Sequence, residues 1–227
     1  MIKNVYAPIH KDGWKFVGIF AVIATILYCI SPFLGFFGFT LTCWCYYFFR
    51  SPKRTTPLRD GLITSPADGT VCLIQKVKAP TEYEMSDEER TRVSIFLNVF
   101  DVHVQRIPLA GKVKKIIYHS GKFINASLDK ASDDNERQTV IVQNGDIEIA
   151  FTQIAGLIAR RIRCDIKEGQ DVKIGELYGL IRFGSRVDIY LPSNVLPLVS
   201  IGQRMIGGET VIADLIAPTE QRRSITH

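Results

Sequence analysis

Between Phe16 and Phe49 this 227-residue sequence contains no Asp, Glu, Lys or Arg. Cysteine and histidine are scarce too. Of five cysteines, Cys29, Cys43 and Cys45 lie inside the uncharged stretch, while Cys72 and Cys164 stand far apart without a His or Cys at metal-ligand spacing. That argues against a metal site and reads as reduced, structural thiols in a cytoplasmic setting. Of four histidines, His10 precedes the stretch and His227 is terminal, which leaves His103 and His119 to titrate within a fold. The sequence has no Gly-x-Ser-x-Gly elbow and no pyridoxal-binding context, and little of it beyond the uncharged stretch looks helical. An apolar content of 46% excludes disorder and allows one substantial core. A net charge of +5 favours an acidic partner, be it nucleic acid, an anionic lipid surface or an anionic substrate.

The uncharged stretch selects the membrane. It divides at Ser31-Pro32 into two apolar arms, each short of the roughly 20 residues of a comfortable span. Lys11 and Lys15 precede it and Arg50, Lys53 and Arg54 follow, so both ends are predicted on the cytoplasmic side of the cell (inner) membrane. The arms then form a helical hairpin over residues 1–50, with Trp14, Trp44, Tyr46 and Tyr47 as interfacial anchors. A cleaved signal peptide is the competing reading, but the stretch is long and lacks a small-residue cleavage site before Ser51. Residues 51–60 form a basic, proline-bearing linker suited to anionic headgroups, each basic residue contributing about 1 kcal/mol near a charged leaflet.

Residues 61–227 read as a mainly β, β-rich α+β domain. Short apolar alternations at 70–77, 93–100, 111–118, 139–142, 147–152 and 177–191 are broken by Gly, Asp, Asn and Pro. Segments 86–92 and 125–135 lack strand character and read as loop or short helix. Gly169-Gln170 with Gly175-Glu176 recurs as Gly202-Gln203 with Gly208-Glu209. The repeat predicts paired half-barrel hairpins like those of lipoyl- and biotinyl-type domains.

The dipeptide Gly184-Ser185 breaks the pattern of the last alternation. Ile181, Phe183, Val187, Ile189 and Leu191 are apolar at period 2, and Ser185 falls on their face. A hydroxyl there needs a partner, and the side-chain-free Gly184 leaves its own carbonyl open to attack. Other polar residues in apolar surroundings are Asp68, His103 and His119. Each also has a plain structural reading, as a turn cap or a hydrogen-bonded core group.

The tract from Gly179 to Pro192, the Ser65-Pro-Ala-Asp-Gly69 turn and the Asp101-Val-His-Val-Gln-Arg-Ile-Pro108 stretch resemble the short-form phosphatidylserine decarboxylase proenzymes. So do Asn135-Glu-Arg137 and Phe48-Phe-Arg-Ser-Pro52, in the family's order and over nearly the whole chain. The resemblance implies a chain that cuts itself between Gly184 and Ser185 into residues 1–184 (β chain) and 185–227 (α chain), which stay together as a heterodimer. It implies a covalent pyruvoyl cofactor made from Ser185, which forms a Schiff base with phosphatidylserine and yields phosphatidylethanolamine in phospholipid biosynthesis. His103 would be a general acid/base, either assisting Ser185 in maturation or returning a proton to the substrate, and Asp68 would orient or charge-stabilise it. Long-form relatives carry a second histidine where this chain has Arg106, which leaves His119 as an alternative base. Arg106, Arg182 and Arg186 are candidates for the substrate's phosphodiester or carboxylate, or are simply solvated on the open face of a strand.

Related readings are a serine-headgroup ether lipid (archaetidylserine) as substrate, a membrane-tethered serine hydrolase using the same trio, or a lipoyl-like carrier modified at Lys130. Lys130 lies far upstream of the Gly-Gln repeats, away from the hairpin tip a carrier lysine occupies. No nucleic-acid partner and no metal are expected.

Overall fold

The computed structural model describes residues 7–86, 88–121, 135–156, 161–182 and 185–216. Two antiparallel helices come first, α1 (Gly13–Ile30) and α2 (Pro32–Phe48), and they divide at Ser31-Pro32 as predicted. Pro32 sits at the first position of α2, where its fixed φ and missing N–H cost nothing. The helices touch through small residues. A Cβ added to Gly38 would lie 2.8 Å from Ala24 Cα, and one added to Gly35 would lie 2.7 Å from Tyr28 Cα. Close approach of this kind is how helices associate where water offers no hydrophobic drive.

The outside of the hairpin is apolar, with Phe33 78% and Phe36 71% exposed. Its threonines are internally satisfied: Thr25, Thr40 and Thr42 donate to the carbonyls of Ala21, Phe36 and Gly38 at 2.8–2.9 Å. Helices of 18 and 17 residues measure roughly 27 and 25 Å, near the roughly 30 Å of a hydrocarbon layer. By length and composition α1 is apolar enough to cross a membrane. Gly38→Leu should force the helices apart and cost about 1–3 kcal/mol. The thermal midpoint in detergent checks this, with Gly18→Leu as control, since nothing lies within 4 Å of a Cβ there.

The rest of the described chain is mainly β, as expected. Its strands are β1 (Leu62–Thr64), β2 (Gly69–Lys78), β3 (Glu89–Leu97), β4 (Val104–Arg106), β5 (Gly111–His119), β6 (Arg137–Asn144) and β7 (Ile147–Ala155). Then come β8 (Ile162–Cys164), β9 (Asp171–Val172), β10 (Leu177–Ile181), β11 (Ser185–Leu191), β12 (Arg204–Met205) and β13 (Val211–Asp214). Eight strands form one antiparallel sheet in the order β12-β2-β3-β11-β7-β6-β5-β9, beside a β4-β10-β8 sheet and a β1-β13 pair. The core packs Val93, Ile95, Phe151, Ile189, Leu191 and Met205 of the large sheet against Tyr178 of β10 and Ile212 of β13.

The Gly-Gln repeat is a structural repeat. Gly169 and Gly175 have φ of +79°, and Gly202 and Gly208 have +86° and +77°, the left-handed region that favours glycine. Each glutamine closes its turn by accepting a backbone N–H three residues back, Lys167 for Gln170 at 3.1 Å and Ser200 for Gln203 at 3.2 Å. Each glycine then donates to a matched strand, Gly169 to Val113 and Gly202 to Val71.

Three expectations change. The run 177–191 is not one strand: β10 belongs to the small sheet and β11 to the large one, so the chain passes between sheets immediately before Ser185. A period-2 pattern survives such a step because each piece keeps its own alternation. The linker is also not a free basic strip. Arg54 has a 4% exposed side chain paired with Asp68, and Arg59 pairs with Asp214. Segment 86–92 resolves into the start of β3 from Glu89, while most of 125–135 lies outside the described residues.

Candidate active site

Ser185 opens β11 and is fully buried between Leu97 of β3 and Ala155 of β7. Its side chain faces the cluster of Ala67, Leu97, Ala155, Ile181 and Val187, as the alternation predicted. That cluster gathers the turn holding Asp68, the ends of β3, β7 and β10, and the start of β11. Two alanines in the wall keep it small, and Ser185 Oγ has no hydrogen-bond partner among the described residues. Gly184, the other half of the predicted cleavage site, lies outside the described residues.

His103 lies between this cluster and the base of the helical hairpin. Its carbonyl accepts from Ile181 N at 3.4 Å, four residues before Ser185. Its ring packs on Phe48, the last residue of α2, with centroids 4.1 Å apart. The imidazole is fully buried, and Nδ1 lies 3.0 Å from the Asp101 carbonyl oxygen. A carbonyl only accepts, so Nδ1 carries the hydrogen and Nε2 keeps its lone pair. Nε2 is buried and without a partner among the described residues. Burial drives the His103 pKa down to about 4, and the nearby Arg50 adds to the shift while Asp101 opposes it. The ring is therefore a neutral base at neutral pH.

Asp101 is the residue sequence reasoning missed. Its carbonyl fixes the tautomer of His103, while its carboxylate accepts the Asn98 N–H at 2.9 Å and pairs with Arg204. The signal was its place two residues before His103. In the sequence Arg50 reads as a charge flanking the apolar stretch. It donates to the carbonyls of Tyr47 at 2.8 Å and Phe100 at 2.7 Å, which ties the end of α2 to the loop that carries His103.

The remaining predicted residues have other partners. Asp68 is buried, which pushes its carboxyl up; Oδ2 pairs with Arg54 at 2.6 Å and Oδ1 accepts from Gly207 N at 2.8 Å. Arg106 donates to the carbonyls of Gly175 at 2.7 Å and Pro52 at 2.8 Å, joining linker to repeat. Arg186 is not on an open face: every residue of β11 is buried, and Arg186 makes a two-pronged pair with Asp188 at 2.8 and 2.9 Å. Arg182 Nη2 reaches Asp12 Oδ2 at 3.2 Å, beside α1. His119 ends β5 and meets Glu82 at 2.9 Å. Three strand spacings separate β5 from β11, roughly 14 Å. Among the described residues no group of acidic, His and Cys side chains is arranged to hold a metal ion.

A family model described as phosphatidylserine decarboxylase matches residues 41–213. A protein of Paramagnetospirillum magneticum named phosphatidylserine decarboxylase proenzyme is 56% identical over 95% of this chain and 90% of its own length. Proteins of the same name from Cereibacter sphaeroides and Rhodospirillum rubrum are 56% and 52% identical, covering 99% and 96% of this chain and 97% and 93% of theirs. With the model match running from the second helix to the last strand and relatives matching end to end, the chain belongs to the phosphatidylserine decarboxylase family.

Proposed function

We propose that this chain cuts itself between Gly184 and Ser185 and then decarboxylates phosphatidylserine to phosphatidylethanolamine at the membrane surface. One observation carries the reading: among the described residues His103 Nε2 and the Ser185 hydroxyl are both buried without a partner, and the His103 carbonyl accepts from Ile181 of the cluster around Ser185. Leaving two such groups unpaired costs about 1–3 kcal/mol each, a cost that a reaction between them explains.

In maturation His103 Nε2 takes the Ser185 Oγ proton while Oγ bonds to the Gly184 carbonyl carbon. The Gly184–Ser185 C–N bond then breaks, and the freed nitrogen takes the proton, leaving an ester. Loss of the Ser185 α proton and departure of the Gly184 carboxylate give dehydroalanine, and water converts this to a pyruvoyl group and ammonia. The surroundings of Ser185 suit such a group, being small, apolar and closed to solvent. Once present, the pyruvoyl carbonyl supplies the electron sink that loss of carbon dioxide from an amino acid requires.

The chain's own residues then exclude water and manage one proton. Ala67, Leu97, Ala155 and Val187 wall the site, and His103 Nε2 takes a proton from the substrate's ammonium group and returns it to the α carbon. Asp68 acts through its turn, holding Arg54 and Gly207 so that Ala67 stays in the wall. The helical hairpin seats the domain on the cytoplasmic face of the membrane. A serine hydrolase fits less well, because Ser185 opens a strand and not the strand-to-helix elbow of that chemistry.

The fragments would be 184 and 43 residues long. The small one begins with β11, which stays laddered to β3 and β7, and contributes β12 to β2 and β13 to β1. Native mass spectrometry should therefore show one particle, and denaturing mass spectrometry two pieces, the smaller lacking an amino terminus. A single denatured mass near 25.6 kDa from active protein overturns the reading.

A further inference from the structure

At the foot of α1 the described surface opens into a cavity of about 590 Å³. Arg161, Arg163 and Arg182 line it, together with Asp12, Glu136 and Ile162. Asp12 precedes the first turn of α1 but makes no side-chain cap; its Oδ1 takes Arg163 and its Oδ2 takes Arg182 at 3.2 Å. Burial pushes the Asp12 carboxyl up, but the bonds from Arg163 and Arg182 outweigh it and hold the pKa below the usual value. Asp12 thus occupies two guanidinium groups, each of which is built to grip a two-oxygen anion, while Asp165 Oδ1 holds the Nε edge of Arg163 at 2.7 Å.

Two observations give the cavity a direction. Arg182 lies over the Phe16 ring at 5.0 Å, one turn into the apolar helix, so the cavity sits at headgroup level when α1 is in a bilayer. Its inner side reaches the site. Ile162 lines the cavity and also packs on the cluster that surrounds Ser185, and the Glu136 carbonyl accepts the N–H of Ala155, the strand neighbour of Ser185. Ile162 is thus common to the cavity and to the cluster around Ser185.

We propose that this cavity seats the phosphodiester of the lipid substrate, whose oxygens replace Asp12 on Arg163 and Arg182 while Arg161 closes on it from the rim. The proposal rests on the functional reading above. Asp12 is a place-holding anion that keeps the arginines apart and oriented until a headgroup arrives. Opposite charges around the wall, with Glu136 and Asp165 lining it beside the arginines, suit a headgroup that carries phosphate, carboxylate and ammonium together.

The test uses the full chain in detergent with Ser185→Ala, so that binding is read without turnover, and glycerophosphoserine as the probe in calorimetry. Arg161→Gln with Arg163→Gln should weaken binding about tenfold or more, a loss of roughly 1.4 kcal/mol. Asp12→Asn should tighten it, an outcome that misfolding cannot imitate. In chains that keep Ser185, the arginine variants should raise KM for short-chain phosphatidylserine and leave kcat nearly unchanged. Free serine binding as well as glycerophosphoserine, or neither variant moving the affinity, overturns the proposal. If the parent chain binds as described but never decarboxylates, the functional reading fails and the cavity assignment stands.

Discussion

Ser185→Ala should leave the chain whole, inactive and more stable than the parent before cleavage. Without Oγ no ester forms, so the protein runs as a single species near 25.6 kDa and its decarboxylase activity is lost entirely. The gain in stability follows from burial. Ser185 is fully buried and its hydroxyl has no partner among the described residues, so a methyl in the same place removes a desolvation cost of about 1–3 kcal/mol. The comparison is made by chemical denaturation against a parent chain trapped uncut. A variant that is cut normally, or one that is uncut and clearly less stable, contradicts the assignment of Ser185 as a buried, reactive group without a partner.

His103→Gln should slow self-cleavage by about 10²–10⁴-fold, the range for losing a positioned base. The pH dependence separates this from a structural effect. An unfolded histidine titrates near 6.5, whereas buried His103 titrates near 4. Between those values the unfolded chain holds more protons. The stability due to the neutral ring is therefore complete above about pH 6.5 and is lost as pH falls toward 4, by about 3 kcal/mol in all. Denaturation midpoints from pH 7 to pH 4 should show that loss in the parent and much less of it in the glutamine variant. Cleavage in the parent should persist well below pH 6.5, and a step centred at 6.5 counts against the buried base.

Much of the site was legible because it is written in short-range patterns. The alternation through Val187, Ile189 and Leu191 placed Ser185 on the inner face, and the Ser31-Pro32 break placed the hairpin turn. What escaped depended on partners distant in sequence. Arg186 reads as solvated until β11 is known to be a central strand with both faces covered. Arg54 reads as a headgroup contact until Asp68 is seen to be folded against it. The division of 177–191 into two sheets leaves no trace in hydropathy, since inward and outward positions keep the same phase on either side. Asp101 was overlooked because its carbonyl, not its side chain, holds the histidine, and every residue type has a carbonyl.

Phe48 belongs to the hydrophobic hairpin yet covers His103, and Cys45 and Phe49 pack beside it on Val102, Val104 and Leu180. On the proposed function the hairpin is a wall of the reaction chamber as well as a tether. A preparation trimmed to begin at Ser51, the natural choice for a detergent-free enzyme, would strip the roof from the imidazole and let water reach it. Its histidine would drift back toward ordinary basicity, and the soluble product would have given up its maturation chemistry along with its lipid affinity.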